Sequence, residues 1–470
     1  MHDVGWIDHI QRGSSKGASQ LSALSIFIGL LAFLCFLYIE IAKSSLGIPR
    51  LRKHGCDFFV VFLFLGDSAQ YYLLNTGRTD ALAILTGDFN VGNISAAIWT
   101  TAAALYLGFV LLVGRFRIEW FFRAPYLSIF VMILLYLASS TWSIVPLFTL
   151  YRACELAVWV GLSVYFFTRL DSLFSTVLFL SVYCTTWVVL NFPVLAESLS
   201  QGIVFSAIKD NFLPAVGFCV AVLGWGTRFR FWFCVLGMII FVLAGSAAAV
   251  PCAIAACFVG LAFNRNVIFK LVGCVGFLSA LACMIAYLWA PEEFMGLIDF
   301  VSGILQKPTA EFLTATGRYT IWSIIWDATK DDYFGLGFGS DRFIQLLGGM
   351  AEVNARFGSP IIVMSAHDAA LSAWTATGWL GVVALFFVYV AGIRYCSYDG
   401  AAATMAVTFI ILDGLAVPGL AGFFSPVWLT WIAVHSTVAT EKSSESVLFK
   451  IVSPELPQNA DNGHDHAAAI

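Results

Sequence analysis

Charge is what this chain is shortest of. Only 11% of its residues are charged, against about 25% in an ordinary globular domain, so a chain of 470 residues cannot be wrapped in a soluble surface. It has no block rich in Lys or Arg, and its formal net charge is −4. Nucleic acid is therefore excluded as a partner. Cys-x-x-Cys pairs, Cys/His spacings, a D-x-D element and His/carboxylate clusters are also missing, so no metal or other cofactor is expected. The eleven cysteines fall inside or at the ends of apolar runs and read as small buried apolar residues. A cleavable signal peptide is not evident either. Met1 to Gln20 is polar, with Arg12 and Lys16 its only cations, and the first apolar run is long enough to stay as a membrane span.

Apolar length is what the chain has in abundance: 60% of its residues are hydrophobic and the mean hydropathy is +0.86. A hydrocarbon core about 30 Å thick takes roughly 20 helical residues to cross. Runs of that order recur at 22–45, 55–75, 96–114, 122–140, 149–168, 171–191, 210–226, 229–245, 246–264, 268–290, 367–393, 400–417 and 419–438. The predicted fold is an all-α polytopic membrane protein of about 12–13 transmembrane helices, with the tightest joints inside 210–264. The predicted order is a polar N-terminal segment (1–21), ten transmembrane helices (22–290), a long loop (291–366), the C-terminal transmembrane helices (367–440) and a disordered polar tail (441–470).

Lys and Arg mark the cytoplasmic side of short loops. Arg50, Arg52 and Lys53 follow the first run; Arg115, Arg117 and Arg123 the third; Arg228 and Arg230 the seventh; Arg265 and Lys270 the ninth. The intervening loops, 76–95, 140–149, 192–209 and 291–366, are nearly uncharged or mixed. The long loop is thus predicted to face outward, which in a bacterium means the periplasm, and the tail to be cytoplasmic.

Four outward segments carry unusual residues. The first is Ser139-Ser140-Thr141-Trp142-Ser143-Ile144-Val145-Pro146, leading to Arg152. It reads as an aromatic anchor followed by a helix start at the proline. The second, Lys209-Asp210-Asn211, opens a span, and its Lys reads equally as a side chain snorkelling to headgroups. The third is Thr316-Gly317-Arg318-Tyr319-Thr320-Ile321-Trp322, with Gly335-Leu336-Gly337-Phe338-Gly339-Ser340 downstream. Tyr319, Trp322, Ile325 and Trp326 share one face of a predicted amphipathic helix on the membrane surface. Arg318 falls in its first turn, where free N–H groups favour an anion. The glycine run has no P-loop Lys and no preceding strand, and it is not read as a nucleotide loop. The fourth segment, Ala366-His367-Asp368, stands where the long loop re-enters the membrane ahead of Trp374 and Gly378-Trp379-Leu380-Gly381.

In order, spacing and sidedness these segments resemble the bacterial O-antigen ligase and O-antigen or exopolysaccharide polymerase superfamily, with the exopolysaccharide polymerases closest. The resemblance runs over about residues 139 to 381. It implies a GT-C-like membrane enzyme of the bacterial inner membrane, whose long periplasmic loop contains short amphipathic helices. The implied activity is a metal-independent, inverting glycosyl transfer from an undecaprenyl-diphosphate-linked oligosaccharide. Membrane lipids, a chain-length regulator and export proteins are the implied partners. Two departures stand out: Asp368 replaces the Asn that often follows the His, and Gly245-Ser246-Ala247 lacks the cation that many members carry after the Ser.

The implied reaction has two needs. Negative charge develops on the leaving lipid diphosphate, where cations are most effective, and the planar fork of Arg binds phosphate oxygens in pairs. Arg318 is the first candidate, with Arg152 and Lys209 beside it and Arg342 and Arg356 as accessory cations. The attacking hydroxyl must lose a proton, and a His titrating near pH 6.5 suits that step. His367 is the candidate base, with Asp368 and Trp142 as accessory groups. The 291–366 loop holds five cations against nine carboxylates, so any anion site must come from a few focused cations. Trp322 and Trp326 are expected in lipid, and Tyr333 and Phe338 against lipid or sugar. Of the intramembrane acids Asp67, Glu155 and Asp413, Glu155 is expected to pair with Arg152 three residues away. The same donor chemistry serves a polymerase or a ligase that moves the glycan to lipid A core or protein. A flippase would instead show inverted repeats and midplane charges.

Overall fold

The computed structural model of the chain describes residues 57–73, 91–116, 118–170, 172–208, 210–246, 248–264, 266–289, 291–305, 318–341, 366, 368–397, 400–414, 417 and 419–438. These residues form helices and loops, with no strand among them. The helices are α1 (Asp57–Leu73), α2 (Val91–Leu112), α3 (Tyr126–Ala138), α4 (Pro146–Phe167), α5 (Leu173–Leu190), α6 (Phe192–Ser200), α7 (Leu213–Gly224) and α8 (Arg230–Ala244). They continue as α9 (Ala249–Ala262), α10 (Val267–Trp289), α11 (Met295–Leu305), α12 (Arg318–Thr329), α13 (Ala369–Ser397) and α14 (Ala401–Asp413). A last helix, α15, covers 426–438. Each apolar run predicted from residue 55 onward overlaps one of these helices, so the fold is an all-α polytopic membrane bundle. The 22–45 run lies outside the described residues.

Helices α4, α5 and α13, and the Ser95–Leu112 part of α2, are long and apolar enough to cross a membrane. Others are short. Helix α7 has 12 residues and α8 has 15, or about 18–23 Å at 1.5 Å per residue, less than the ~30 Å core. A non-helical segment packs against the end of α8. Ser206 and Ile208 donate their N–H groups to Val242 O and Leu243 O at 3.0 and 2.9 Å, filling carbonyls that the end of α8 leaves open.

The interior is aromatic: Tyr126, Tyr136, Trp159, Tyr165, Trp428 and Trp431 are fully buried. The outside is apolar as well, with Leu112, Phe231, Trp232, Val267 and Phe386 exposed, as a lipid-facing surface requires. Lipid tails are as apolar as Leu, so close packing holds such helices together. Helices α7 and α8 meet through Gly217 and Gly237, where a Cβ on Gly237 would stand 2.5 Å from Gly217 O and Ala221 N. The cysteines divide. Cys184, Cys219 and Cys396 are buried as expected, but Cys154, Cys257, Cys274 and Cys283 are exposed, since an outward helix face in lipid accepts a weakly polar thiol.

One end of the bundle is basic. Arg228 lies over the rings of Phe174 and Phe229, at 5.5 and 4.8 Å, and Arg230 over Trp225 at 5.8 Å. Arg169 donates to Arg115 O at 3.5 Å, which adds the loop after α4 to the alternating basic set. The opposite ends of α3, α4, α13 and α14 carry the sequence motifs.

Candidate active site at the end opposite the basic loops

The site is organised around a break in α13. Thr377 (φ −143°, ψ 21°) and Gly378 (φ 61°, ψ −143°) are non-helical, which orphans carbonyls before the break and N–H groups after it. In a membrane such groups must be satisfied by protein. The segment from Tyr333 to Gly337 does this. Leu336 N donates to Thr375 O at 2.7 Å and Gly337 N to Ala376 O at 3.0 Å, while Trp379 N donates to Tyr333 O at 3.3 Å. Gly335, Gly337 and Gly339 all have positive φ. A Cβ on Gly335 would stand 2.7 Å from Gly378 N and Trp374 O, and one on Gly337 would overlap Ser143.

The Ser139–Pro146 segment grips the same turn from the other side. Phe338 N donates to Ser139 Oγ at 3.0 Å, and Ile144 N to Leu336 O at 3.1 Å. Thr149 Oγ1 donates to Phe338 O at 3.1 Å, and Trp142 Nε1 to Phe334 O at 2.9 Å. The Phe338 ring, 1% exposed, stacks on Tyr136 with centroids 4.2 Å apart. The expectation that Phe338 meets sugar or lipid is therefore corrected: it is a core residue. Tyr333 stays exposed.

Helix α12 rests on this dock. Ile324 and Ile325 are buried with Leu336 and Ala366. Trp322 Nε1 donates to Ala366 O at 2.8 Å, so its placement in lipid is corrected as well. Its indole N–H finds a partner inside the protein, as such groups do when removed from water. Trp326 is half exposed and lies 5.4 Å from the Trp374 ring.

Of the candidate cations, Arg152 is the one whose side chain is among the described residues. It is 5% exposed and pairs with Glu155 at 2.6 Å, the pairing its spacing predicted. Its guanidinium lies 4.6 Å from the Phe423 ring centroid and 5.3 Å from that of Phe148. Its charge is thus already compensated by a buried carboxylate. Arg318 begins α12; its side chain, and Lys209, Arg342, Arg356 and His367, lie outside the described residues.

Asp368 caps α13. Its Oδ1 accepts the N–H of Leu371 at 2.7 Å, and Ala369 N donates to Gly414 O at 2.8 Å, tying this helix start to the end of α14. Burial pushes the Asp368 carboxyl above the ordinary carboxylate range, while the N–H groups of Leu371 and Ala370 pull it back. A carboxyl with a raised folded-state pKa adds most stability when protonated, and loses that contribution as pH rises through the folded pKa. Asp368→Asn keeps an equally good cap without the desolvated charge, so at pH 7 it is expected to melt no lower than wild type in detergent. Acidification through the carboxylate range should then stabilise wild type relative to Asp368→Asn. Asp368→Ala, which has no cap, is expected to lose about 0.5–2 kcal/mol.

A family profile described as O-antigen ligase matches residues 232–386. This segment is similar to that family. The match runs from α8 into α13 and takes in α12, the Gly335–Ser340 dock and position 367. Over that third of its length the chain is similar to the O-antigen ligase family. No curated protein matches the chain. The Ser139–Arg152 stretch lies before the matched residues, yet it supplies one wall of the dock.

Signals missed in the sequence are the helix break and the reach of Asp341. Gly378 and Gly381, three apart inside an apolar run, were the available sign of the first. Asp341, 8% exposed, accepts Ala366 N–H at 3.1 Å, and no local pattern points to that bond.

Proposed function

We propose that the chain is a polysaccharide polymerase. It joins polyprenyl-diphosphate-linked oligosaccharide repeat units at the periplasmic face of the bacterial inner membrane. The observation that carries this reading is the O-antigen ligase match over 232–386, which contains both Arg318 and His367. Support also comes from the dock, which packs α12, the glycine turn and the start of α13 together at the end opposite the basic loops.

In this reading the hydroxyl of one repeat unit attacks the anomeric carbon of another. The bond to the lipid diphosphate breaks with inversion, the hydroxyl proton passes to His367, and the diphosphate leaves against Arg318. Lys209, Arg342 and Arg356 are auxiliary cations. Arg152 joins them only by exchanging Glu155 for phosphate. The chain then works alongside a chain-length regulator and export proteins.

The same match supports equally a second reading, in which the same donor passes to lipid A core or to a protein. Deletion of the chain in its host separates the two. A polymerase leaves single repeat units on the lipid carrier, and long glycan vanishes. A ligase leaves long glycan intact on the carrier and absent from the acceptor. Lipid-linked and acceptor-linked glycans, sized after mild acid release, give the answer.

A further inference from the structure

Ala366 is completely buried, and side chains take both of its main-chain polar groups. Asp341 Oδ2 accepts its N–H at 3.1 Å across 25 residues, and Trp322 Nε1 donates to its carbonyl at 2.8 Å across 44 residues. Buried main-chain groups must be satisfied, but most are satisfied by other backbone. Here two distant side chains converge on one peptide unit. Asp341 arrives at the end of the docked glycine segment, and Trp322 comes from α12, four residues past Arg318. Beyond position 367, Asp368 caps α13 and Ala369 bonds to Gly414. The chain is therefore fixed on both sides of that position.

We propose that Trp322 and Asp341 are positioning residues, whose two hydrogen bonds clamp Ala366 and so hold α12 in register with the start of α13. The proposal rests on the assignment of Arg318 and His367 above. Trp322 shares a helix with the first and Ala366 adjoins the second, so this clamp ties the backbone that carries the one to the backbone beside the other. A displacement of about 1 Å in such a pair costs up to about 100-fold in rate.

The side chains allow a selective test. The indole N–H is a donor only, so Trp322→Phe keeps the ring and removes the bond. Asp341→Asn keeps an acceptor oxygen, and Asp341→Ala removes it. Full-length variants are assayed in membranes of a deletion strain, with lipid-linked oligosaccharide extracted from that strain as substrate and each variant's membrane level measured. Trp322→Phe and Asp341→Ala are expected to lower kcat by about 10- to 100-fold, with KM for the lipid-linked substrate little changed. Asp341→Asn should recover most of the loss.

Wild-type kcat in Trp322→Phe and Asp341→Ala, beside inactive Arg318→Ala and His367→Ala, overturns the clamp and leaves the site assignment standing. Activity in Arg318→Ala and His367→Ala overturns the assignment instead. A loss in Asp341→Asn equal to that in Asp341→Ala means that the charge matters rather than the bond, and overturns the clamp. So does a change confined to KM. Should Asp341→Ala fail to accumulate, Trp322→Phe, which retains the aromatic packing, decides the question.

Discussion

Replacing Arg318 or His367 with alanine is expected to abolish long polymer and leave single repeat units on the lipid carrier. Charge develops on the departing diphosphate, and removing one group aimed at developing charge costs about 10²- to 10³-fold. Removing a general base costs about 10²- to 10⁴-fold. Either loss exceeds what a polymer-length profile needs to show a change. Arg318→Lys keeps the charge but not the planar two-pronged contact, and should fall between wild type and Arg318→Ala. For the base, His367→Gln should lose the proton-accepting limb of the wild-type rate-against-pH profile. Polymer of normal length in both alanine variants removes these residues from the site. Repeat units that never reach the periplasm point to a transporter instead.

Much of the bundle was legible because a membrane span writes itself into composition. Some 20 apolar residues in a row have few other uses, and each such run from residue 55 onward overlaps a helix. Pro146 at the first position of α4 and the pairing of Glu155 with Arg152 follow from rules that act within one turn. The dock was not legible for the opposite reason. Its bonds join Ser139 to Phe338, Leu336 to Thr375 and Trp322 to Ala366, and most are made by main chain, which leaves no side-chain pattern. The glycines were visible, but only as exclusion of a nucleotide loop. Their role depends on a break in α13 that lies about forty residues downstream. Trp322 was misplaced because periodicity identifies an apolar face without saying whether lipid or protein covers it. Lipid and a protein interior are equally apolar, so the ambiguity is physical, and only the indole N–H breaks it.

Gly378→Ala should show how much the dock carries. At φ 61° and ψ −143°, residue 378 sits near a region essentially reserved for glycine, where other residues cost about 1–3 kcal/mol. The added Cβ would also overlap the carbonyl of Tyr333. Relief requires the 333–337 segment to move away, with loss of the bonds from Leu336 N, Gly337 N and Trp379 N, at about 1 kcal/mol each. The expected result is a fall in melting temperature together with loss of long polymer, because α12 and Ala366 stand on that segment. Gly303→Ala in α11 is the control. Among the described residues nothing lies within 4 Å of its Cβ, and Ala is the better helix former by about 1 kcal/mol, so stability and polymer length should hold. Arg318→Ala and His367→Ala should instead lose polymer at an unchanged melting temperature. Loss of activity and stability together at Gly378, against activity alone at Arg318 and His367, separates the platform from the chemistry it holds. A Gly378→Ala protein that melts and polymerises like Gly303→Ala would mean that the break and the glycine turn are not what fixes the site.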